Sequence, residues 1–246
     1  MDRLIYTALS GMQASMDRQR AIASNMANSN TIGFRAELIE QRAVTIEGHP
    51  NEARAMQTAR VTGADMSGGE LIETGRELDI AMATKSLMAV QADDGTEAYT
   101  RRGDLSIGAT GLLVTGDGHP VLGDTGPITV PPGGRISISE DGTVTRTDPN
   151  APDQPPAEVG RIKLASWDGS PIAKGLDGLF RVEGGGILPT DEEARVHTGK
   201  LEQSNVKPTE VLVAMIEEQR LFAMRSKLVS TARDLDESGA QLMRLT

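Results

Sequence analysis

Apolar residues recur at helical spacing at both ends of this chain and at strand spacing between them. Near the C-terminus Ala214, Leu221, Leu228, Leu235 and Leu242 repeat at one interval, and Met215, Phe222 and Val229 form a second row one position later. Successive helical residues are about 100° apart, so these rows are separate sectors, together wider than one partner helix covers. The spacing predicts a long helix from Lys207 to Thr246. At the other end Ile5, Leu9, Met12, Met16, Ala23 and Met26 alternate steps of four and three, broken only by Gln19, which predicts a helix from Leu4 to Met26 or Ala27. The two ends are each other's nearest candidate partners. The sector left over on the C-terminal helix then needs neighbours from other molecules, because the chain offers no third long helix.

The first helix should stop in Asn28-Ser29-Asn30-Thr31-Ile32-Gly33, where Asn and Gly tolerate left-handed backbone and the short polar side chains compete for backbone hydrogen bonds. Residues 36–75 are broken by Gly48-His49-Pro50-Asn51, Gly63 and Gly68-Gly69 and read as an extended connector. Beyond Arg76 the period becomes strand-like: Leu78-Asp79-Ile80-Ala81-Met82, Ile136-Ser137-Ile138-Ser139 and Ile162-Lys163-Leu164 alternate. Asp94-Gly95, Gly116-Asp117-Gly118, Asp141-Gly142 and Asp168-Gly169 supply hairpin turns, and Thr147 to Pro156 is an exposed loop. The fold expected is α+β. Residues 1–35 and 201–246 form a discontinuous helical domain of paired, coiled-coil-like helices. Residues 36–75 connect it to a mostly antiparallel β domain over residues 76–200.

Composition narrows the function. The 246 residues contain one Trp, two Tyr and three Phe, too few for stacking platforms, and the net charge of -10 opposes a phosphate backbone, so nucleic acid is excluded as a partner. Cysteine is absent, which removes disulfides, thiolate nucleophiles and cysteine metal sites together. No run approaches the roughly 20 apolar residues of a membrane span, and the N-terminus lacks the apolar core of a cleaved signal. His49, His119 and His197 lie far apart with no second ligand at metal spacing. The Asp-Gly turns lack the closing glutamate of a calcium loop, and Gly184-Gly185-Gly186 is followed by no helix that would make a phosphate loop. Asp93-Asp94 and Glu77/Asp79 are the paired carboxylates that a secreted, β-rich carbohydrate-active enzyme would need, but solvation on turns and strands accounts for them. No cofactor, metal or small-molecule substrate is expected.

Leu9-Ser10-Gly11-Met12 and Ile22-Ala23-Ser24-Asn25-Met26-Ala27-Asn28-Ser29-Asn30-Thr31-Ile32-Gly33-Phe34-Arg35 resemble the N-terminal signature of the bacterial flagellar rod and hook axial proteins. Ser24 replaces an asparagine of that pattern and Met26 a leucine. Leu201-Glu202-Gln203-Ser204-Asn205-Val206, followed by Pro208, resembles the family's second signature, with Lys207 where an acidic cap is usual. Tyr99-Thr100-Arg101-Arg102-Gly103 and Gly111 to Gly123 resemble its outer-domain hairpin, while Ala83 to Met88 replaces a glycine-aspartate-glycine turn. The resemblance, strongest to the proximal-rod type with distal-rod and hook proteins as alternatives, implies a non-enzymatic structural subunit. It implies export without a cleaved signal through the flagellar type III apparatus, and helical stacking with proximal and distal rod subunits in the periplasm to transmit torque. The assembly-interface residues expected on this basis are Leu9, Met12, Met16, Asn25, Met26, Asn28, Asn30, Thr31, Gly33, Phe34, Ser204, Asn205, Leu221, Phe222, Leu228 and Leu235.

Overall fold

A computed structural model describes residues 2–46, 54–83, 85–149 and 154–244. The Gly48 to Asn51 break, His49 included, and the side chain of Leu235 lie outside the described residues. The architecture is mixed α/β, with a helix at each end of the chain and antiparallel strands between. It divides into a helical unit of residues 1–29, 37–65 and 206–246, and a β unit of residues 30–36 and 66–205.

In the helical unit, α1 (Asp2–Ala27) runs beside α2 (Pro208–Arg244), and a long antiparallel hairpin of β1 (Glu37–Ile46) and β2 (Arg54–Ala64) packs along α1. The Asn-rich segment stops α1 as its chemistry dictates: Asn28 Nδ2 donates to Ser24 O at 2.9 Å and Ser29 Oγ to Met26 O at 2.9 Å, taking up carbonyls the helix leaves free. Pro208 opens α2, where its missing N–H costs nothing.

The helices do pair, but not through the row expected on α1. The buried face of α1 comprises Ser10, Gly11, Ala14, Ser15, Ala21 and Ile22, whereas Leu9 and Met16 are 54% and 53% exposed and Ala23 is exposed. On α2 the buried or half-buried residues Val211, Met215, Glu218, Phe222, Arg225, Val229 and Ala232 keep the four-three spacing, with Ala214 and Leu221 half-buried beside them. Small side chains on α1 leave room for the longer α2 residues, including two that are charged. Bulk alone therefore misplaces the seam by one sector.

The β unit is built of short antiparallel strands. β3 (Leu71–Glu73) pairs with Lys200–Glu202, and β4 (Ile80–Met82) with Val196–Thr198. β5 (Ser86–Gln91) and β6 (Glu97–Thr100) form a hairpin at the centre of a five-stranded sheet completed by Leu164–Ser166, Phe180–Val182 and Ile172–Lys174. A three-stranded sheet follows from Arg135–Ile138, Thr143–Thr147 and Ala157–Arg161. Aliphatic residues of these two sheets and of neighbouring two-stranded pairs, among them Ile80, Met88, Val90, Leu105, Leu113, Val144 and Leu164, share one core. The aspartate-glycine turns sit where expected, and in two of them the aspartate also clamps the following threonine. Asp94 accepts from Thr96 N at 2.9 Å and Oγ1 at 2.6 Å, and Asp141 from Thr143 N at 3.1 Å and Oγ1 at 2.8 Å. Ser86 Oγ, donating to Ala83 O at 2.9 Å, ties the segment that lacks the glycine-aspartate-glycine turn.

Candidate functional site

Three of the sequence segments singled out above meet at one carboxylate in the β unit. Glu202, only 2% exposed, receives Arg35 Nη2 on Oε1 at 2.7 Å, and Arg101 Nε and Nη2 on Oε2 at 2.8 and 2.6 Å. The Gly69 N–H adds a fourth donor at 2.9 Å. Arg101 also donates to the carbonyls of Ser86 at 2.7 Å and Met82 at 3.0 Å. Two buried guanidiniums share one carboxylate, so the cluster carries excess positive charge. Burial pulls the Arg101 pKa below its usual value, opposed by Glu202 and reinforced by Arg35. The carboxylate is fully engaged by its donors, while Arg35 Nε and Nη1 are buried with no hydrogen-bond partner among the described residues. Within the β unit it joins Arg35 of the first signature and Glu202 of the second to Arg101.

The backbone closes around the same point. Gly33 N–H donates to Glu202 O at 2.8 Å, and Gly33 has φ 69 with Arg101 backbone 2.4 Å from where a Cβ would stand. No other residue fits there without moving main chain. Asn205 Oδ1 accepts from Ala36 N–H at 2.8 Å while its amide donates to Ser67 O at 3.1 Å. Lys174 lies 3.3 Å above the Phe34 ring and donates to Arg35 O at 3.0 Å.

In the helical unit Asn25 plays a similar part: its amide donates to Glu37 O at 3.1 Å and accepts Glu37 N–H at 2.8 Å, fixing the start of β1 against α1. The seam itself holds polar pins. Arg225 Nη1 donates to Gly11 O at 2.6 Å and to Ser15 Oγ, and Arg18 Nε stands 3.4 Å from buried Glu218. Ion pairs in a seam set register.

Of the expected interface residues, Asn25, Gly33 and Asn205 are thus engaged inside the chain. Met12, Met26, Asn28, Thr31, Phe34, Ser204, Leu221 and Phe222 are half-buried, and Leu9, Met16, Asn30 and Leu228 are exposed. The exposed apolar residues of α2 include Leu212, Val213, Ile216, Met224 and Leu228, the last two at 58%, so its apolar surface extends well beyond the sector α1 covers. Arg35, Arg101 and Glu202 stood in the quoted segments without a role of their own, and Glu218 and Arg225 were not singled out by sequence. The signal was opposite charge at fixed places inside apolar patterns.

A hydrogen bond from Arg135 holds the Glu77 carboxyl below its ordinary value, and Thr96 does the same for Asp94, the direction opposite to the raised value of a general acid. Among the described residues no group of His, Asp or Glu could hold a metal ion, and no helix is long and apolar enough to cross a membrane.

Known families match along the same segments. Residues 5–35 match the family described as "Flagella basal body rod protein", residues 81–146 the "Flagellar hook protein FlgE/F/G D1 domain", and residues 197–242 the "Flagellar basal body rod FlgEFG protein C-terminal". The chain is 41% identical to the flagellar basal-body rod protein FlgF of Salmonella typhimurium strain LT2 and 40% identical to that of Escherichia coli K12, covering 100% of both chains in each case. It is 30% identical to the rod protein FlgG of Bacillus subtilis 168, over 99% of this chain and 100% of the relative.

Proposed function

Since the chain belongs to the family of flagellar basal-body rod proteins and is a structural subunit of that rod, we propose that it occupies the proximal segment and stacks there helically with neighbouring rod subunits to carry torque. Its similarity to FlgF proteins at 41% and 40%, against 30% for an FlgG, supports that segment over the distal rod or hook. Torque transmission needs stiff packing over a large area and no chemical step. The observation that carries this reading is the apolar surface of α2, where Val213, Ile216, Met224 and Leu228 remain uncovered within the chain.

In this reading the paired terminal helices make the axial contacts, in a coiled-coil-like array with neighbouring copies, through Leu9, Met12, Met16, Leu221, Phe222, Leu228 and Leu235. Asn25 and Asn28 hold the end of α1 and the start of β1 within the helical unit, and Thr31, Gly33, Phe34 and Asn205 serve the packing of the β unit. The subunit reaches the periplasm through the flagellar type III apparatus. The experiment is to locate the chain in isolated basal bodies by peptide mass spectrometry and immunogold labelling. Label confined to the rod beneath the distal segment is expected; label on the distal rod or hook alone would overturn the proximal placement.

A further inference from the structure

The middle of α2 has a character opposite to that of the chain as a whole. The formal net charge is -10, yet between Glu218 and Asp234 every charged residue is basic: Arg220, Arg225, Lys227 and Arg233. Arg225 is spent on α1. Arg220 and Lys227 are exposed and share one face, about 10.5 Å apart along the helix axis. Exposed Met224 lies between them and exposed Leu228 beside them. This face calls for an acidic and apolar complement.

The β unit offers one. Glu70, Leu71, Ile72 and Glu73 are all exposed, an unusual run for a strand. Among the described strands β3 pairs only with Lys200–Glu202, which leaves its other edge open. Glu70 and Glu73, three residues apart in extended chain, are about 10 Å apart, the same interval as the two cations, and alternation sets them on opposite faces so that they flank the open edge from both sides. Glu73 also stands 3.4 Å from Lys200 but stays largely exposed. Two apolar side chains lie between them.

Resting on the assignment to the rod made above, we propose that the Arg220–Lys227 face of α2 in one copy docks edge-on against the Glu70–Glu73 segment of a second copy. The cations meet the glutamates, and Met224 and Leu228 cover Leu71 and Ile72. The contact joins two different surfaces, so it repeats from copy to copy without closing. Placing the basic face on acidic chain offsets the repulsion between copies that each carry -10.

The absence of cysteine makes single introduced thiols unambiguous. Cells producing Lys227→Cys and Glu73→Cys chains together are treated with a short bifunctional thiol cross-linker, and basal bodies are isolated. A dimer linking the two different variants is expected. Basal bodies that contain both chains without that dimer, or with Lys227→Cys joined instead to itself or to another rod protein, would overturn the contact. As an independent check, Arg220→Glu with Lys227→Glu should lower incorporation about tenfold or more, and adding Glu70→Lys with Glu73→Lys should restore it. Failure of the restoring pair would count against the contact. Absence of even the wild-type chain from basal bodies would overturn the rod assignment itself, and this inference with it.

Discussion

Glu202 is the single side chain on which most of the β unit's charged interior depends. Removing its charge leaves Arg35 and Arg101 buried with no counter-ion, a loss of order 3–5 kcal/mol when one partner of a buried pair is deleted. Glu202→Gln should lower the unfolding free energy of the β unit by that amount, read as a fall in the urea midpoint from the fluorescence of Trp167, the only tryptophan. An unchanged midpoint would show that the cluster contributes nothing net. Gly33→Ala meets two obstacles, the positive φ and the Arg101 backbone, and should cost at least about 2 kcal/mol in the same assay. The sequence showed Gly33, Arg35, Arg101 and Glu202 only as parts of three separated segments. Nothing in their spacing says that one carboxylate would serve two guanidiniums, because that convergence comes from the strand pairing of Lys200–Glu202 with β3, which has no local signature.

At the scale of elements, periodicity located both helices and most of the turns, since a helix face and an Asp-Gly turn are local properties. It misjudged which face of α1 meets α2, because close approach favours Gly11, Ala14 and Ser15 over the bulkier Leu9 and Met16. The long hairpin of β1 and β2 emerged only as extended chain, its pairing being a non-local event. Arg225 pins the helical pair, so Arg225→Leu should weaken the pairing by about 1–2 kcal/mol. Hydrogen exchange should then quicken in α1 and stay unchanged in β5 and β6. Equal change in both would place the role of Arg225 elsewhere. The turns give a pH dependence. Thr96 holds Asp94, Thr143 holds Asp141 and Arg181 holds Asp177 below the ordinary value of 3.8. Folded-state values below the unfolded one mean stability that is present above that pH and lost as pH falls through the lower folded values. Melting temperature should therefore drop below roughly pH 4, and less steeply in Thr96→Val with Thr143→Val. An equal slope in that variant would remove the turns as the cause.

The whole molecule combines a β unit with a well-filled core and a helical unit whose apolar surface exceeds what the chain covers. Periodicity made that imbalance visible early, since two apolar rows on the C-terminal helix make a face wider than one partner helix covers. Copy number and the partner of each face are properties of the assembly and leave no trace in one chain's periodicity. Leu228 puts the central claim to the test most directly, because it is 58% exposed and so carries little of the chain's own stability. Leu228→Asp should unfold like wild type when purified, yet be missing from isolated basal bodies in cells that no longer swim. Recovery of that variant from basal bodies at wild-type level, with normal swimming, would contradict the account.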